Sequence, residues 1–426
     1  MTQSTTPTLA PKSTFWILFF IVFIDLVGFG IVFPILPEVM RTYQLTGFQT
    51  GLIIGIYSLM QFLFSPVLGQ WSDKIGRRPI LVLSMAGTAI SFFLMGFAGK
   101  LGSFFEIFLV ARAIDGIAGS SMSTAQAYMA DISPKEQRTR NMGMWIGAAF
   151  GLGFALGPVI GAGFQWIGDL FFPSFGPTFA FVLAGIVVTI NTLFAFFKLP
   201  ESLPHRDSEH KMGKRTSSFW IIATYLLKPG IGPLMLGYAL SIFAFAFMES
   251  TVTWLAIDTY QLPKYGIYIL FAYFGFVVCY GQGKLVRKLA TSWGDKKLAI
   301  VGCLMLAVGL AAMPFNPFAS GSQILVIAYL ALASGVMCLG ESLCQPSLIS
   351  SISKLANDNV QGETMGVGQS LASLSRFLGP LLATCLYANG PTTPYLLSAT
   401  LMLVAIGIIQ WGFKDKQELI PSSAAS

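Results

Sequence analysis

The chain has 426 residues, of which 54% are hydrophobic and only 11% carry a charge, with a formal net charge of +7. A soluble protein has roughly 25% charged residues, because it must cover its surface with groups that water solvates. The composition therefore excludes an ordinary soluble enzyme or binding domain and predicts an integral membrane protein whose main partner is the lipid bilayer.

Twelve apolar stretches are long enough to cross about 30 Å of hydrocarbon. Each has at least 19 residues, which is too long for a membrane barrel strand of about 9–11 residues. Only helices and closed barrels satisfy their backbone groups in lipid, so the sequence predicts an all-α polytopic bundle. In chain order the predicted spans are 15–37, 48–70, 79–99, 104–130, 141–166, 176–198, 231–257, 265–283, 298–316, 323–350, 364–388 and 392–413.

The basic residues predict the orientation of these spans. With the N-terminus in the cytoplasm, 21 lysines and arginines fall in cytoplasmic segments and 3 in external loops. This asymmetry is what the positive-inside rule requires, so the positive net charge needs no nucleic-acid partner. Short loops, and external loops without a glycosylation acceptor, favour a bacterial inner membrane.

The polar segment 201–217 is predicted to be a cytoplasmic linker. It divides the chain into an N-terminal six-helix half, 1–200, and a C-terminal six-helix half, 218–426. Each half has a basic turn that contains a glycine after its second span, and a Gly-Pro pair in its fifth span. The distance from the turn glycine to the Gly-Pro pair is 81 residues in one half and 85 in the other, although the second turn has Arg287 in place of the leading glycine. Such matched landmarks indicate a duplicated unit.

The chain lacks the signatures of common catalytic and metal sites. All five cysteines lie in apolar stretches, and both histidines lie in the linker, so we expect no metal site and no disulfide framework. No phosphate-binding loop or nucleophile motif is present. We therefore expect no enzyme activity and no cofactor; the rival class is a membrane enzyme or a non-transporting receptor.

Six charged residues lie inside predicted spans and away from the ends of those spans, where charge is costly and usually functional. At 1.5 Å per residue, three of them, on spans 1 and 4, are predicted near the middle of the membrane. There a carboxylate beside a guanidinium is either a proton-sensitive switch or a static ion pair. The acid of span 7 is predicted nearer the outer surface and that of span 10 nearer the inner surface, where each serves either substrate contact or local packing. The arginine of span 11 is predicted to be a structural partner of an acid in the second half. In chain order the six are Asp25, Arg112, Asp115, Glu249, Glu341 and Arg376.

Two longer patterns resemble a known family. The turn after span 2 reads Gly69-Gln-Trp-Ser-Asp73-Lys-Ile-Gly76-Arg77-Arg78, and span 5 contains Gly153, Gly157-Pro158 and Gly161 at four-residue spacing. Span 1, from Asp25 to Pro37, adds a third similarity. The chain resembles the major facilitator superfamily and, within it, the tetracycline-efflux-like drug:proton antiporters.

This resemblance implies a fold of two pseudo-symmetric six-helix bundles and a central cavity lined by spans 1, 4, 7 and 10. It implies a cytoplasmic gate formed by the loop, in which Asp73 approaches span 11 and Arg77 reaches Asp131. Span 5 would control leakage during antiport, and Gly379 and Pro380 would be its structural counterpart in span 11. The gate residues are Gly69, Asp73, Gly76, Arg77, Arg78 and Asp131.

The function predicted from these features is secondary active transport. We expect proton-coupled export of hydrophobic or amphipathic small molecules by alternating access, driven by the proton gradient and carried out by a monomer. Asp25, Arg112, Asp115, Glu249 and Glu341 would handle the proton and the substrate. The alternative on the same fold is proton-driven uptake of a siderophore, sugar or organic anion.

Overall fold

A computed structural model describes residues 12–133, 145, 148–202, 218–319, 321–355 and 361–419. In these ranges the chain is built of α-helices joined by short turns, by 3-10 helices at Ala98–Lys100 and Pro173–Thr178, and by a π-helical segment at Gly281–Val286. The predicted all-α class is confirmed. The helices are α1 (Lys12–Thr42), α2 (Gly47–Ile75), α3 (Arg77–Phe97), α4 (Phe104–Gly119), α5 (Met122–Ile132), α6 (Ala148–Phe171), α7 (Phe179–Lys198), α8 (Ser218–Leu226), α9 (Ile231–Asp258), α10 (Lys264–Tyr280), α11 (Arg287–Ala312), α12 (Gln323–Leu355), α13 (Gln361–Tyr387) and α14 (Thr392–Leu419).

Every predicted span carries helix, but the described residues contain nine helices that are long and apolar enough to cross a membrane by themselves. The fourth span is broken into α4 and α5. The ninth lies in α11, which is kinked at Gly294 (φ +70°) and begins in a charged turn. The eleventh, α13, is diluted by serines, glutamine and Arg376. Span 4 is thus too short on either side of its break, span 9 follows a run of charged residues, and only in span 11 do polar residues lower the hydropathy.

The break between α4 and α5 falls at Ser120 and Ser121. A broken helix leaves carbonyl groups without their usual donors, and lipid offers no water to replace them. The Gln61 side chain of α2 donates to the carbonyl of Gly119 at 3.2 Å, and Ser65 Oγ donates to the carbonyl of Ser120 at 3.5 Å. Side chains of α2 thus compensate the interruption beside the charged pair of α4.

The helices form two compact units. The first contains Met1–Leu45 and Ile56–His210, and the second contains Thr46–Gly55 and Lys211–Ser426. Residues 203–217 of the predicted linker lie outside the described residues, so its exact bounds stay a prediction. Inside the first unit, α1 packs on α6, and α3 packs on α4 and α7.

The second unit repeats this packing. There α9 packs on α13, and α11 packs on α12 and α14. In terms of spans, the pairs 1–5, 3–4 and 3–6 of the first unit correspond to 7–11, 9–10 and 9–12 of the second. Equivalent helix pairs in both units are the structural counterpart of the matched glycine landmarks in the sequence.

The N-terminal end of α2 belongs to the second unit and has three glycines at four-residue spacing. A Cβ atom at Gly51 would lie 2.7 Å from the Cα of Leu381, and one at Gly55 would lie 2.6 Å from the carbonyl oxygen of Phe377. Small residues allow such close approach in lipid, where helix association depends on packing. Gly47, the third member, is similarly tight against the carbonyl of Thr384.

Candidate transport site and cytoplasmic network

A buried ion pair lies on one face of α4. Arg112 Nη1 is 2.7 Å from Asp115 Oδ2, and the side chains are only 1% and 8% exposed. The guanidinium carbon lies 4.7 Å from the centre of the Tyr57 ring, an arrangement in which the ring face attracts the cation. Arg112 Nε is buried and has no hydrogen-bond partner among the described residues. The pair is therefore removed from solvent and only partly satisfied.

Asp25 joins this pair from α1. Its side chain is half-buried, and its carboxylate is close enough to Asp115 for the two charges to interact. The structure thus brings together three of the residues predicted to converge near the middle of the membrane. The cluster contains two carboxylates and one guanidinium, of which Asp115 pairs with Arg112 and Asp25 lies near Asp115, so its ionised form carries one uncompensated negative charge.

The second unit contains a cluster of the same composition. Glu249 on α9 and Glu341 on α12 both interact electrostatically with Arg376 on α13, and with each other. Glu341 is 5% exposed, and the Gln345 side chain donates a hydrogen bond to its Oε1. Its Oε2 is buried without a partner in the part of the chain that the structure describes. Here too, two carboxylates share one arginine.

The glycine face of α6 packs directly on α1. A Cβ atom at Gly153 would lie 2.7 Å from Cβ of Leu26, and one at Gly157 would lie 2.9 Å from Cα of Gly30. At Gly161 the corresponding contact with Ile31 is a relaxed 3.4 Å, and Pro158 lies inside the same helix. The glycine stripe therefore brings α6 against the helix that carries Asp25, and its part in controlling leakage stays a prediction.

In the second unit the Gly-Pro pair likewise allows two helices to pack closely. A Cβ at Gly379 would lie 2.8 Å from Cβ of Ala246 on α9, and Pro380 follows it inside α13. The close crossing is thus between the helix of Glu249 and the helix of Arg376. In both units, therefore, a close glycine contact holds the helix that carries one of the clustered carboxylates.

Arg77 is the centre of a polar network at the turn after α2, which the sequence predicts on the cytoplasmic side. Its Nε is 3.1 Å from Asp131 Oδ2, and its Nη1 is 2.5 Å from Asp73 Oδ1 and 2.7 Å from Ser72 Oγ. The side chain of Asp73 is 63% exposed, so this member of the network is largely solvated. Arg77 thus ties the turn after α2 to the end of α5.

Glu201 completes the network, and sequence reasoning missed it. Its carboxylate accepts the backbone N–H of Arg77 at 2.9 Å and that of Arg78 at 3.2 Å. These are the first N–H groups of α3, and a helix leaves such donors unpaired unless something caps them. The available signal was an acid immediately after span 6, on the same side of the membrane as the basic turn.

Two further positions of the loop now have a physical explanation. Gly76 has φ +115°, and a Cβ there would overlap the Glu201 carboxylate, so both backbone and space require glycine. Arg78 donates to the carbonyl of Phe196 at the end of α7 and lies over its ring. At Gly69, in contrast, a Cβ would meet no atom of the described residues within 4 Å, and nothing in its surroundings explains the glycine.

The turn of the second unit has the opposite arrangement of charge. Gly294 again has a positive φ, and Asp295 follows it. Asp295 Oδ2 lies 2.6 Å from Lys354 Nζ at the end of α12 and accepts a 3.1 Å hydrogen bond from Ser350. Asp295 therefore occupies the position that corresponds to Arg77 of the first unit, and Lys354 occupies the position that corresponds to Asp131.

The comparisons with known proteins agree with this architecture. The model of the Major Facilitator Superfamily matches residues 18–380, with a second match over 288–425. The tetracycline resistance protein of class D from Salmonella ordonez is 30% identical over 388 residues, covering 87% of this chain and 88% of that protein.

Two solved structures are similar over nearly the full length. The human organic anion transporter MFSD10 is 25% identical with a TM-score of 0.62, covering 94% of this chain and all of that one. A bacterial homologue of the lysosomal transporter Spinster has a TM-score of 0.75 at 16% identity, covering 97% and 99%, which supports the fold alone. The predicted integral inner-membrane location is confirmed. Two repeated helical units, a family match across the chain and transporters as relatives lead to one conclusion: the chain belongs to the Major Facilitator Superfamily of membrane transporters.

Proposed function

We propose that this transporter exports hydrophobic or amphipathic small molecules in exchange for protons, by alternating access. The observation that carries the proposal is the cluster of Asp25, Asp115 and Arg112. Its uncompensated charge is costly in a low-dielectric environment, by several kcal/mol for an isolated ion. A proton or a positively charged solute relieves that cost, so the cluster can couple the binding of one to the release of the other.

The relatives support export over uptake. A tetracycline resistance protein is a relative over most of this chain, and resistance to a drug is naturally achieved by removing it. The similarity to an organic anion transporter favours a second candidate, proton-driven uptake of an organic anion. The two candidates use the same fold and differ in whether proton and solute move in opposite directions or in the same direction.

The remaining elements have supporting roles in this proposal. The network of Arg77, Asp131 and Glu201 would act as the cytoplasmic gate, with Asp73 as its solvated member. The proton gradient supplies the energy, so no bound cofactor is required. Both charge clusters are carried by one chain, so we propose the monomer as the functional unit.

Proteoliposomes distinguish the candidates. Purified protein is reconstituted with a pH-sensitive dye inside, and uptake of labelled amphipathic drugs is measured with the lumen acidic or with the exterior acidic. An exporter that exchanges protons for drug accumulates drug in the acidic lumen and alkalinises it. Accumulation only when the exterior is acidic would identify uptake with protons and overturn the export proposal.

Variants of Asp25 test the coupling. Asp25→Asn is expected to abolish gradient-driven accumulation while leaving downhill exchange of drug. Glu106→Gln, an equivalent change at the exposed start of α4, is the control and should accumulate drug normally. An Asp25→Asn protein with an unaltered proton-to-drug ratio, or one whose folding and transport are both rescued by Arg112→Gln, would reduce Asp25 to a structural partner.

A further inference from the structure

A small cavity lies in the second unit, between the end of α12 and the start of α13. It has a volume of about 60 Å³, and its apolar lining comes from Ile349 and Ile352 of α12 and Met365 of α13. Gly368 forms part of the wall, and Tyr238 of α9 closes one side. Space of this size accommodates a few heavy atoms, which suits a slender apolar group.

Tyr238 connects this cavity to the buried charges. Its hydroxyl interacts electrostatically with both Arg376 and Glu341, and its ring lines the cavity. This residue therefore borders the cavity and also lies near Arg376 and Glu341.

Glu341 has unused binding capacity. Gln345 satisfies its Oε1, whereas Oε2 is buried and makes no hydrogen bond to any described residue. An unsatisfied buried carboxylate oxygen is costly, and most such atoms in proteins have a partner. Because Arg376 also faces Glu249, one positive charge is divided between two acids, and the partner that is missing is a cation or a hydrogen-bond donor.

The spacing along α12 joins the two features. Ile352 is eleven residues after Glu341, which places both on one face of the helix about 16 Å apart along its axis. That distance matches an amphipathic molecule with a charged head and an extended apolar tail. Gln345, between them on the same face, already contacts the carboxylate.

We infer that the second unit contains a binding site for amphipathic cations, in which an ammonium group pairs with Glu341 and the end of an extended apolar tail enters the cavity of Ile349, Ile352 and Met365. An anion of the same shape meets two carboxylates against one arginine and is disfavoured. This inference rests on the proposed export of amphipathic molecules and specifies their charge and where they bind.

The test compares two probes with the same tail. Binding of decylammonium and of decanesulfonate, both below their micellar concentrations, is measured by equilibrium dialysis against nanodiscs that contain the protein. Empty nanodiscs give the partition into lipid, which is subtracted. The cation is expected to bind saturably and the sulfonate is not. Equal binding of both, or a preference for the sulfonate, would overturn the inference.

Two variants locate the head and the tail. Glu341→Gln should weaken binding of the cation roughly ten- to a hundredfold, as expected when a hydrogen bond to a charged group is lost. Gly368→Leu should weaken binding of the cation by a similar factor, because its side chain would fill the cavity. The substitution has room, since no described atom lies within 4 Å of a Cβ at this position. Gly366→Leu is the control, because Gly366 is exposed, has equally open space and does not line the cavity.

The outcomes separate this site from the proposed function. Unchanged cation affinity in Gly368→Leu would exclude the cavity even if Glu341→Gln fails to fold. If wild-type protein exchanges drug for protons in proteoliposomes but does not bind the cation in preference to the sulfonate, the site is wrong and the function stands. If it binds the cation selectively but no gradient drives transport, the function is wrong and the site stands.

Discussion

Lys354 Nζ lies 2.6 Å from Asp295 Oδ2, and this ion pair has the opposite polarity to the pair between Arg77 and Asp131 in the first unit. In each unit the ion pair joins the start of the third span to the end of the fourth span. Duplicated units have therefore retained the position of the contact while exchanging the charges.

The two ion pairs should respond differently to charge exchange. Lys354 is 61% exposed and Asp295 also accepts a hydrogen bond from Ser350, so the pair contributes about 0.2–1 kcal/mol. Asp295→Lys combined with Lys354→Asp should retain the thermal stability of the wild type in detergent. Arg77→Asp combined with Asp131→Arg should lower the thermal stability, because Arg77 also bonds Ser72 and Asp73. Equal recovery of both exchanged proteins would contradict this difference.

Glu201 is predicted to stabilise the first unit by capping α3. Glu201→Ala removes the acceptor of two backbone N–H groups and should lower the free energy of unfolding by about 1–2 kcal/mol. The measurement is a thermal unfolding curve followed by fluorescence. Gly76→Ala should destabilise similarly through its positive φ and its overlap with Glu201, whereas Gly69→Ala, which meets no described atom within 4 Å, should leave the curve unchanged. Comparable losses at both glycines would argue against the cap.

The gate prediction concerns Asp73. Asp73→Asn removes a charge that pairs with Arg77 at 2.5 Å but is well solvated, so expression and membrane insertion should be normal. Transport in proteoliposomes should be slower, because the cytoplasmic network loses one of its charges. An unchanged transport rate would leave the basic turn with a role in topology only.

The glycine face of α6 gives a matched pair of substitutions. Gly157→Leu forces a side chain against Gly30 at a point where even a Cβ would be 2.9 Å from its Cα, and overpacking of this kind costs about 1–3 kcal/mol. Gly163→Leu places the same side chain on the exposed face of the same helix. Only the first should lower the yield of folded protein in size-exclusion chromatography; equal yields would mean that α1 and α6 separate readily.

The predicted topology is tested by labelling in intact cells. In a cysteine-free background, Ser292→Cys in the turn of the second unit should react with an impermeant maleimide only after the cells are opened. Ser103→Cys, in an external loop, should react from outside. Both positions are exposed, so a difference in labelling reports the side of the membrane. Labelling of Ser292→Cys in intact cells would exclude the two-half orientation.

Several features could be predicted from the sequence because they depend on local composition. Helix in a membrane is required wherever an apolar stretch exceeds the thickness of the hydrocarbon, so the spans followed from hydropathy alone. The break at Ser120 could not be predicted in this way, because it is compensated by groups elsewhere in the chain, such as Gln61 on α2.

The sequence by itself determined the all-α class and the identity of the buried charges, since a charged residue inside an apolar stretch of membrane length is visible in the sequence alone. The orientation of the spans stays a prediction. Only the tertiary structure decided which charges meet. Glu201 lies 124 positions from the N–H group of Arg77 that it caps, and Arg376 faces acids on two other helices. Contacts of this kind depend on which helix faces pack together, and packing in lipid is governed by small residues and shape rather than by hydrophobicity.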